Sequence, residues 1–282
     1  MNIAIQKNGR LTERSLELLR ACGIDLPQPA AKLVLPATNV DVQVLFLRDD
    51  DIVEAVSTGV ADAGIVGQNV VTEQQGTDLV CGILGFGRCR VSIALPRERV
   101  YASPESLSGL RIATSYPRVL KEWLKVNHIS AEVHTISGSV EIAPGIGLAD
   151  AICDIVSSGS TLLANGLREV AVVMSSEAVL VRSPCATTET AAWIDRLLSR
   201  MDAVGRARNK KYVLMNIPCN QVHEAAALIP GLRSPTVLPL DREGWCGMHA
   251  VVPSDEVWNI LDALKALGAE GILVTTIDAL IP

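Results

Sequence analysis

Short aliphatic runs alternate with helix-patterned stretches along most of this chain, and that alternation constrains the fold more than any other feature. It calls for α/β architecture, with βαβ units laid around a parallel sheet. Asn2–Ile5 reads as a buried strand. The helix after it takes Thr12 as its cap, Leu11 and Leu16 as a hydrophobic staple and Gly23 as its stop. Strands are expected over Val42–Leu47, Asp62–Val66 and Leu79–Leu84, with Asp49-Asp50-Asp51 opening a helix at its positive end. A second block repeats the scheme: strand Leu110–Thr114, a helix over Arg118–Asn127 introduced by Pro117, strand Glu132–Ile136, a helix from Ser139 and strand Ala151–Val156. Hydrophobic residues make up 49% of the chain, but there are only two Phe, three Tyr and four Trp. The cores must therefore be aliphatic, as in sheets covered by helices.

Gly59-Val60-Ala61-Asp62-Ala63 is echoed by Gly147-Leu148-Ala149-Asp150-Ala151, each between a helix and a strand. Five small residues can match by chance. The other reading is two similar lobes facing each other across a cleft, where small ligands bind.

Beyond a helix starting near Thr187, Arg206–Lys211 has the basic, polar character of a linker. The tail then reads as strand Tyr212–Ile217, helix Asn220–Ile229, strands Thr236–Leu240 and Cys246–Val252, and a helix capped by Ser254. That helix turns Val257, Ile260, Leu261, Leu264 and Leu267 inward and stops at Gly268; strand Ile272–Thr276 closes the order. The result is βαββαβ, a ferredoxin-like pattern.

The net charge of −6 argues against a nucleic-acid partner, which normally selects a basic surface. The start Met1–Ile5 has no basic leader or long apolar run of the signal-peptide kind, and no apolar stretch approaches the roughly 18 residues of a membrane span. The seven cysteines are scattered and never in a CxxC pair, so they are expected to be reduced, as in a cytoplasmic protein. The four histidines fall into no metal-ligand pattern.

The sharpest chemical signal is the segment Asp154-Ile155-Val156-Ser157-Ser158-Gly159-Ser160-Thr161-Leu162. A strand runs into hydroxyl-bearing residues around a glycine, and a short helix begins. Gly159 lets consecutive amides turn toward one anion, and the helix start adds partial positive charge. Asp154 is placed to accept from ribose hydroxyls while the loop holds a 5-phosphate. The bland reading of the same residues is a strand-to-helix turn with Ser and Thr as caps. Walker and dinucleotide glycine motifs are absent. Lys7, Arg10, Arg48, Arg88 and Arg90 fall in loops after strands, where they could meet a polyphosphate or sit as solvated surface residues. Glu141 reads as a helix-capping acid, with a ligand or magnesium contact as the alternative. No Ser–His–Asp or Cys–His set can be singled out. Transfer of a ribosyl group from pyrophosphate, driven by positioning and electrostatics, needs none.

Six ordered blocks carry a family resemblance: Gln6–Leu11, Leu47–Ile52, Gly64–Asn69, Arg111–Pro117, Gly138–Glu141 and Gly147–Leu162. Together with the tail they resemble the ATP phosphoribosyltransferase family, which opens histidine biosynthesis, in its long form. The resemblance implies a two-lobed, periplasmic-binding-protein-like catalytic core plus a C-terminal regulatory domain. It divides the chain into lobe I (1–92 and 183–205), lobe II (93–182) and the tail (206–282). It implies that Asp154, Ile155, Val156, Ser157, Ser158, Gly159, Ser160 and Thr161 hold phosphoribosyl pyrophosphate, with Mg2+ on the leaving group. Lys7, Arg10, Arg48, Gly67, Arg90, Ser115 and Tyr116 match the ATP side of the cleft. Histidine inhibition is implied through Leu232, Thr236 and Gly271, with Asn216 standing where some relatives have an acid. A homo-oligomer follows too, a hexamer exchanging with dimers in the cytoplasm. The alternative function is a two-lobed small-molecule-binding or effector-sensing protein without catalysis.

Overall fold

The structure is a computed structural model that describes residues 1–28, 33–229 and 235–281. It divides into two compact units, Met1–Leu198 and Ser199–Pro282.

In the first unit the chain runs through β1 (Asn2–Gln6), α1 (Arg10–Ala21), β2 (Val34–Pro36), β3 (Gln43–Leu47), α2 (Asp49–Ser57), β4 (Ala63–Gly67), α3 (Gln68–Glu73) and β5 (Val80–Ile83). It continues through β6 (Cys89–Pro96), β7 (Arg111–Thr114), α4 (Pro117–Val126), β8 (Glu132–Thr135), β9 (Ala151–Val156), α5 (Ser160–Ala164), β10 (Leu167–Ser176) and β11 (Ala178–Arg182). Helix α6 (Thr188–Ala207) crosses the boundary into the second unit.

Two sheets result, one per lobe, in the orders β2-β3-β1-β4-β11-β5 and β10-β6-β9-β7-β8. Each holds a parallel triplet, β3-β1-β4 and β8-β7-β9, as the alternation requires. Neither sheet is parallel throughout, which corrects the expectation. Strand β11 runs antiparallel to β4, and β6 runs antiparallel to both β9 and β10. The reason is topological. After β5 the chain leaves the first sheet for the second, and after β10 it returns, so the strand that enters each sheet, β6 or β11, runs against its triplet. The two crossings are tied by Leu84 N–H to Ala178 O (2.9 Å) and Ala178 N–H to Phe86 O (2.8 Å). Gly85 and Gly87 take φ of +70° and +67° in this bend, a region open to glycine at little cost.

The repeated pentapeptide is not chance. Each copy leads into the third strand of its triplet, β4 or β9. Asp62 accepts the Asn2 amide at 2.7 Å and returns its own amide to Asn2 O at 2.9 Å. Asp150 does the same with Arg111, at 3.0 and 2.8 Å. Both acids pin the start of the first strand of their parallel triplet, which explains why the motif recurs.

Local expectations needed four further corrections. Helix α1 starts just after Gly9 (φ +114°), so Thr12 lies inside it and its hydroxyl donates to Gln6 O at 2.8 Å. The helix expected from Ser139 is a single 3-10 turn, Val140–Ile142, entered with Ser139 at φ +48°. The polar stretch Arg206–Lys211 is no linker, because it is shared between the end of α6 and the following strand. Ser254 does not cap its helix, which begins after Glu256; the Ser254 hydroxyl is buried without a partner.

The second unit comprises β12 (Lys210–Pro218), α7 (Val222–Leu228), β13 (Thr236–Pro239), β14 (Trp245–Pro253), α8 (Val257–Ala266) and β15 (Glu270–Thr276). Its sheet order is β13-β14-β12-β15, all antiparallel, the ferredoxin-like arrangement. Alternate residues Val213, Met215 and Ile217 pack with Met248, Ala250 and Val252 against Ile260, Leu261 and Leu264 of α8. Each of these side chains larger than alanine contributes on the order of 1.5–3 kcal/mol by leaving water. Cys219 and Cys246 are joined in a disulfide, so not all cysteines are reduced. Spacing hid the pair; the β12–β14 register, with Pro218 opposite Trp245, brings the two together.

Candidate active site

Strand β9 delivers Asp154 to the end of the second lobe's parallel triplet. Val156 and Leu162, 2% and 6% exposed, anchor the two sides of the following loop in one core cluster with Val140 and Ile152. Between these anchors Ser157–Thr161 is left facing outward. Gly159 turns the chain at φ +78°, ψ 2°, and α5 starts at Ser160. The Ser158 and Ser160 hydroxyls lie 2.9 Å apart. First-turn amides of a helix have no intrahelical acceptor, so this rim offers donors to an anion.

The hollow over the loop has a volume of about 250 Å³ and is lined by Asp154 through Leu162, with Ile152 and Glu141. Burial pushes the Asp154 carboxyl above its usual range and the Glu141 charge adds to the effect, while the Ile155 amide, 2.8 Å from Asp154 Oδ1, opposes it. Two carboxylates facing one hollow favour a cation or hydroxyl donors between them. No group of three or more His, Cys, Asp or Glu among the described residues could hold a metal by itself. The pair therefore fits magnesium bound largely through substrate oxygens and water, with one or two protein carboxylates.

On the first lobe, β1, β3 and β4 are parallel neighbours, so their carboxyl ends emerge side by side. Lys7 follows β1 and is exposed; its amide donates to Leu47 O at 2.7 Å, next to the exposed Arg48. Gly67 ends β4, where a Cβ would strike the Asn69 carboxamide. Arg10 is the first residue of α1. The structure thus groups Lys7, Arg48 and Gly67 at one sheet edge.

Ser115 and Tyr116 follow β7 but their polar groups are engaged. The Ser115 hydroxyl donates to Ile136 O at 2.8 Å. Tyr116 is 9% exposed, and its hydroxyl accepts from Asn69 Nδ2 at 3.1 Å. Burial raises the Tyr116 pKa, and the charges of Asp154 and Asp49 raise it further. Arg90 is also engaged: its Nε and Nη2 donate to the Glu169 carboxylate and its Nη1 to Ser157 O at 3.2 Å. Its guanidinium thus reaches the loop after β9. Arg88 lies 3.7 Å from Glu177.

Three residues at the site had not been singled out. Asn69 is buried and joins the lobes, through Tyr116 and through Ser176, whose hydroxyl donates to Asn69 Oδ1 at 2.8 Å. Glu73 of α3 accepts the Arg118 and Val119 amides of α4, each at 3.0 Å, capping a helix of the other lobe. Glu169 holds Arg90. Their partners lie 45 to 107 residues away, so no local pattern marks them.

In the second unit, a Cβ on Gly271 would come 3.6 Å from Asn216 Nδ2, so these two positions adjoin. Thr236 lies on β13, opposite His249. Leu232 falls outside the described residues.

A two-lobed α/β unit with an outward-facing loop of amides and hydroxyls, two carboxylates on one hollow and a cationic strand edge suits the class of enzymes that handle phosphorylated sugars. The comparisons with known proteins are specific. The family described as "ATP phosphoribosyltransferase" matches residues 48–203, and "HisG, C-terminal domain" matches 207–279. An ATP phosphoribosyltransferase of Cytophaga hutchinsonii is 50% identical over 281 residues, covering 100% of this chain and 98% of its own. One of Bacteroides fragilis is likewise 50% identical, with coverage of 100% and 99%. Among solved structures, the Thermotoga maritima "ATP phosphoribosyl transferase (HisG:HisZ) complex" matches with a TM-score of 0.60 and 24% identity, over 72% of this chain and 98% of that one. A Bordetella pertussis BvgS VFT2 domain shares the two-lobed fold at a TM-score of 0.50 and 15% identity, over 72% of this chain and 87% of that one. The chain belongs to the ATP phosphoribosyltransferase family, in its long form, and so to the pentosyltransferases that open histidine biosynthesis.

Proposed function

We propose that this chain joins the 5-phosphoribosyl group of phosphoribosyl pyrophosphate to N1 of ATP, with the donor seated on Asp154–Thr161. The observation that carries the assignment is the single hollow shared by the loop, Asp154 and Glu141. The 5-phosphate takes the loop amides and the Ser and Thr hydroxyls, and Asp154 accepts from the ribose hydroxyls. Lys7 and Arg48, at the first lobe's strand edge, serve the ATP phosphates together with Arg10, Gly67, Ser115 and Tyr116. The N1 lone pair forms the bond to the anomeric carbon as the bond from that carbon to pyrophosphate oxygen breaks. No side chain is acylated or phosphorylated, so alignment of the two substrates and a fixed field do the work. Magnesium, when bound with the substrates, neutralises charge on the pyrophosphate; Asp154 and Glu141 are the carboxylates placed to share it.

Histidine is proposed to bind the second unit at Asn216, Thr236, Leu232 and Gly271 and to slow the reaction. An amide at 216 accepts a hydrogen bond but lacks the charge attraction of an acid, so inhibition should be weaker than with Asp there. The working form is proposed to be a cytoplasmic homo-oligomer, a hexamer built from dimers; no described helix is long and apolar enough to cross a membrane. The test is chromatographic detection of phosphoribosyl-ATP from ATP, phosphoribosyl pyrophosphate and magnesium, with and without millimolar histidine. Absence of product at enzyme concentrations comparable to substrate would refute the assignment. Asn216→Asp should tighten inhibition, and equal inhibition would remove Asn216 from the effector site.

A further inference from the structure

Strand β6 lies between β10 and β9, and it carries a polar chain that ends on the phosphate-type loop. Glu169 on β10 accepts from Arg90 Nε and Nη2 and from the Ser92 hydroxyl, the latter at 2.8 Å. Ser92 is 1% exposed and sits directly opposite Asp154 in the β6–β9 register. From the other side of the guanidinium, Nη1 donates to Ser157 O at 3.2 Å. Ser157 is the first residue after β9, so its carbonyl direction sets which way the next peptide faces. With that carbonyl held toward Arg90, the N–H of the same planar peptide, on Ser158, points the opposite way. Released, the peptide can turn its oxygen toward the hollow, where it would repel a phosphate.

A guanidinium can bridge a carboxylate and a carbonyl because its donors are fixed in one plane. Glu169 settles where that plane lies, and Ser92 settles where Glu169 lies. The ion pair is only partly exposed, with side-chain accessibilities of 35% and 25%. The Arg90 hydrogen bonds hold the Glu169 carboxyl below its usual range, so it stays ionised near neutrality.

We propose that Glu169 is a positioning residue for the donor loop: through Arg90 it fixes the Ser157 carbonyl and thereby the amides that receive the 5-phosphate of phosphoribosyl pyrophosphate. This moves Arg90 from the ATP edge to the donor side, and it rests on the loop being the donor site. Glu169→Gln preserves shape but removes the charge. Charge-assisted hydrogen bonds of this kind correspond to about a tenfold to hundredfold effect, expected in KM for phosphoribosyl pyrophosphate. KM for ATP should stay within about twofold, because the hydrogen bonds of the pair reach the donor loop. Glu169→Asp, a shorter acid, should recover part of the loss.

Arg90→Lys keeps the charge but cannot span both partners, and it should give the same donor-selective rise. Glu169→Gln added to it should cost little more, since the two act as one unit. Wild-type enzyme run in parallel separates the two levels: no phosphoribosyl-ATP from wild type sinks the functional assignment, not the positioning one. With wild type active, a rise confined to KM for ATP would overturn the proposal. So would unchanged constants in a Glu169→Gln protein of wild-type melting temperature, or full additivity of the two substitutions.

Discussion

Gly159 offers a test in which strain alone can be weighed, because its surroundings leave room for a side chain. A Cβ built there meets only Val156 Cγ1, at 3.9 Å, an ordinary contact. What opposes substitution is the backbone at φ +78°, ψ 2°. An L-residue with a Cβ pays about 1–2 kcal/mol for that left-handed conformation, Asn less, and a β-branched residue more. The cost must appear in one of two places. If the loop keeps its turn, stability falls, and each kcal/mol lowers the melting temperature by roughly 2–4 °C for a unit of this size. If the loop relaxes, the turn is populated only part of the time and kcat/KM for phosphoribosyl pyrophosphate falls about 5- to 30-fold for the same energy. Gly159→Asn, Gly159→Ala and Gly159→Val should therefore lose in that order, in melting temperature and kcat/KM taken together. Steady-state kinetics beside differential scanning calorimetry reads both. A Val variant matching the Asn variant in both would show that the left-handed turn plays no part in donor binding.

Glu73→Ala should destabilise the protein by about 1–2 kcal/mol in urea titration, since it strips the acceptor from the α4 start. An unchanged midpoint would remove that cross-lobe cap from the stability account. Asp154→Asn should lose activity yet resist heat better at pH 7. The native carboxyl is pushed up, chiefly by burial, so folding favours its protonated form. The penalty for ionising it sets in as pH rises through the unfolded value of 3.8 toward the higher native one and is complete above that. The gain from Asn should accordingly shrink in acid, and a gain that grew in acid would contradict the sign. Cys219→Ser, or full reduction, should cost about 3.5 kcal/mol from the loop-closure entropy of a 27-residue separation. Five rather than seven thiols should titrate in the unfolded, unreduced protein; seven would mean that the bond is absent in solution.

Local chemistry alone settled much of the protein. The parallel triplets were legible because βαβ units leave aliphatic strands between helical stretches, as at Asn2–Gln6 and Arg111–Thr114. The loop after β9 was legible because a strand, a Gly and hydroxyl residues lie next to one another, and the βαββαβ tail because period and punctuation are short-range signals. The crossing strands β6, β10 and β11 were not legible. They owe their existence to pairing across sheets, with registers such as Arg90 opposite Val156 that no local period encodes. Thr12 and Ser254 looked like caps in sequence but are decided by where the neighbouring chain lies, at Gln6 and in a buried pocket. Only the tertiary structure could join Cys219 to Cys246, set Glu73 on the far lobe's helix and turn Arg90 onto the donor loop. A short-range motif states which groups are available. Which partner each one reaches depends on contacts between distant segments, and burial and hydrogen-bond satisfaction choose among those only once the lobes have folded.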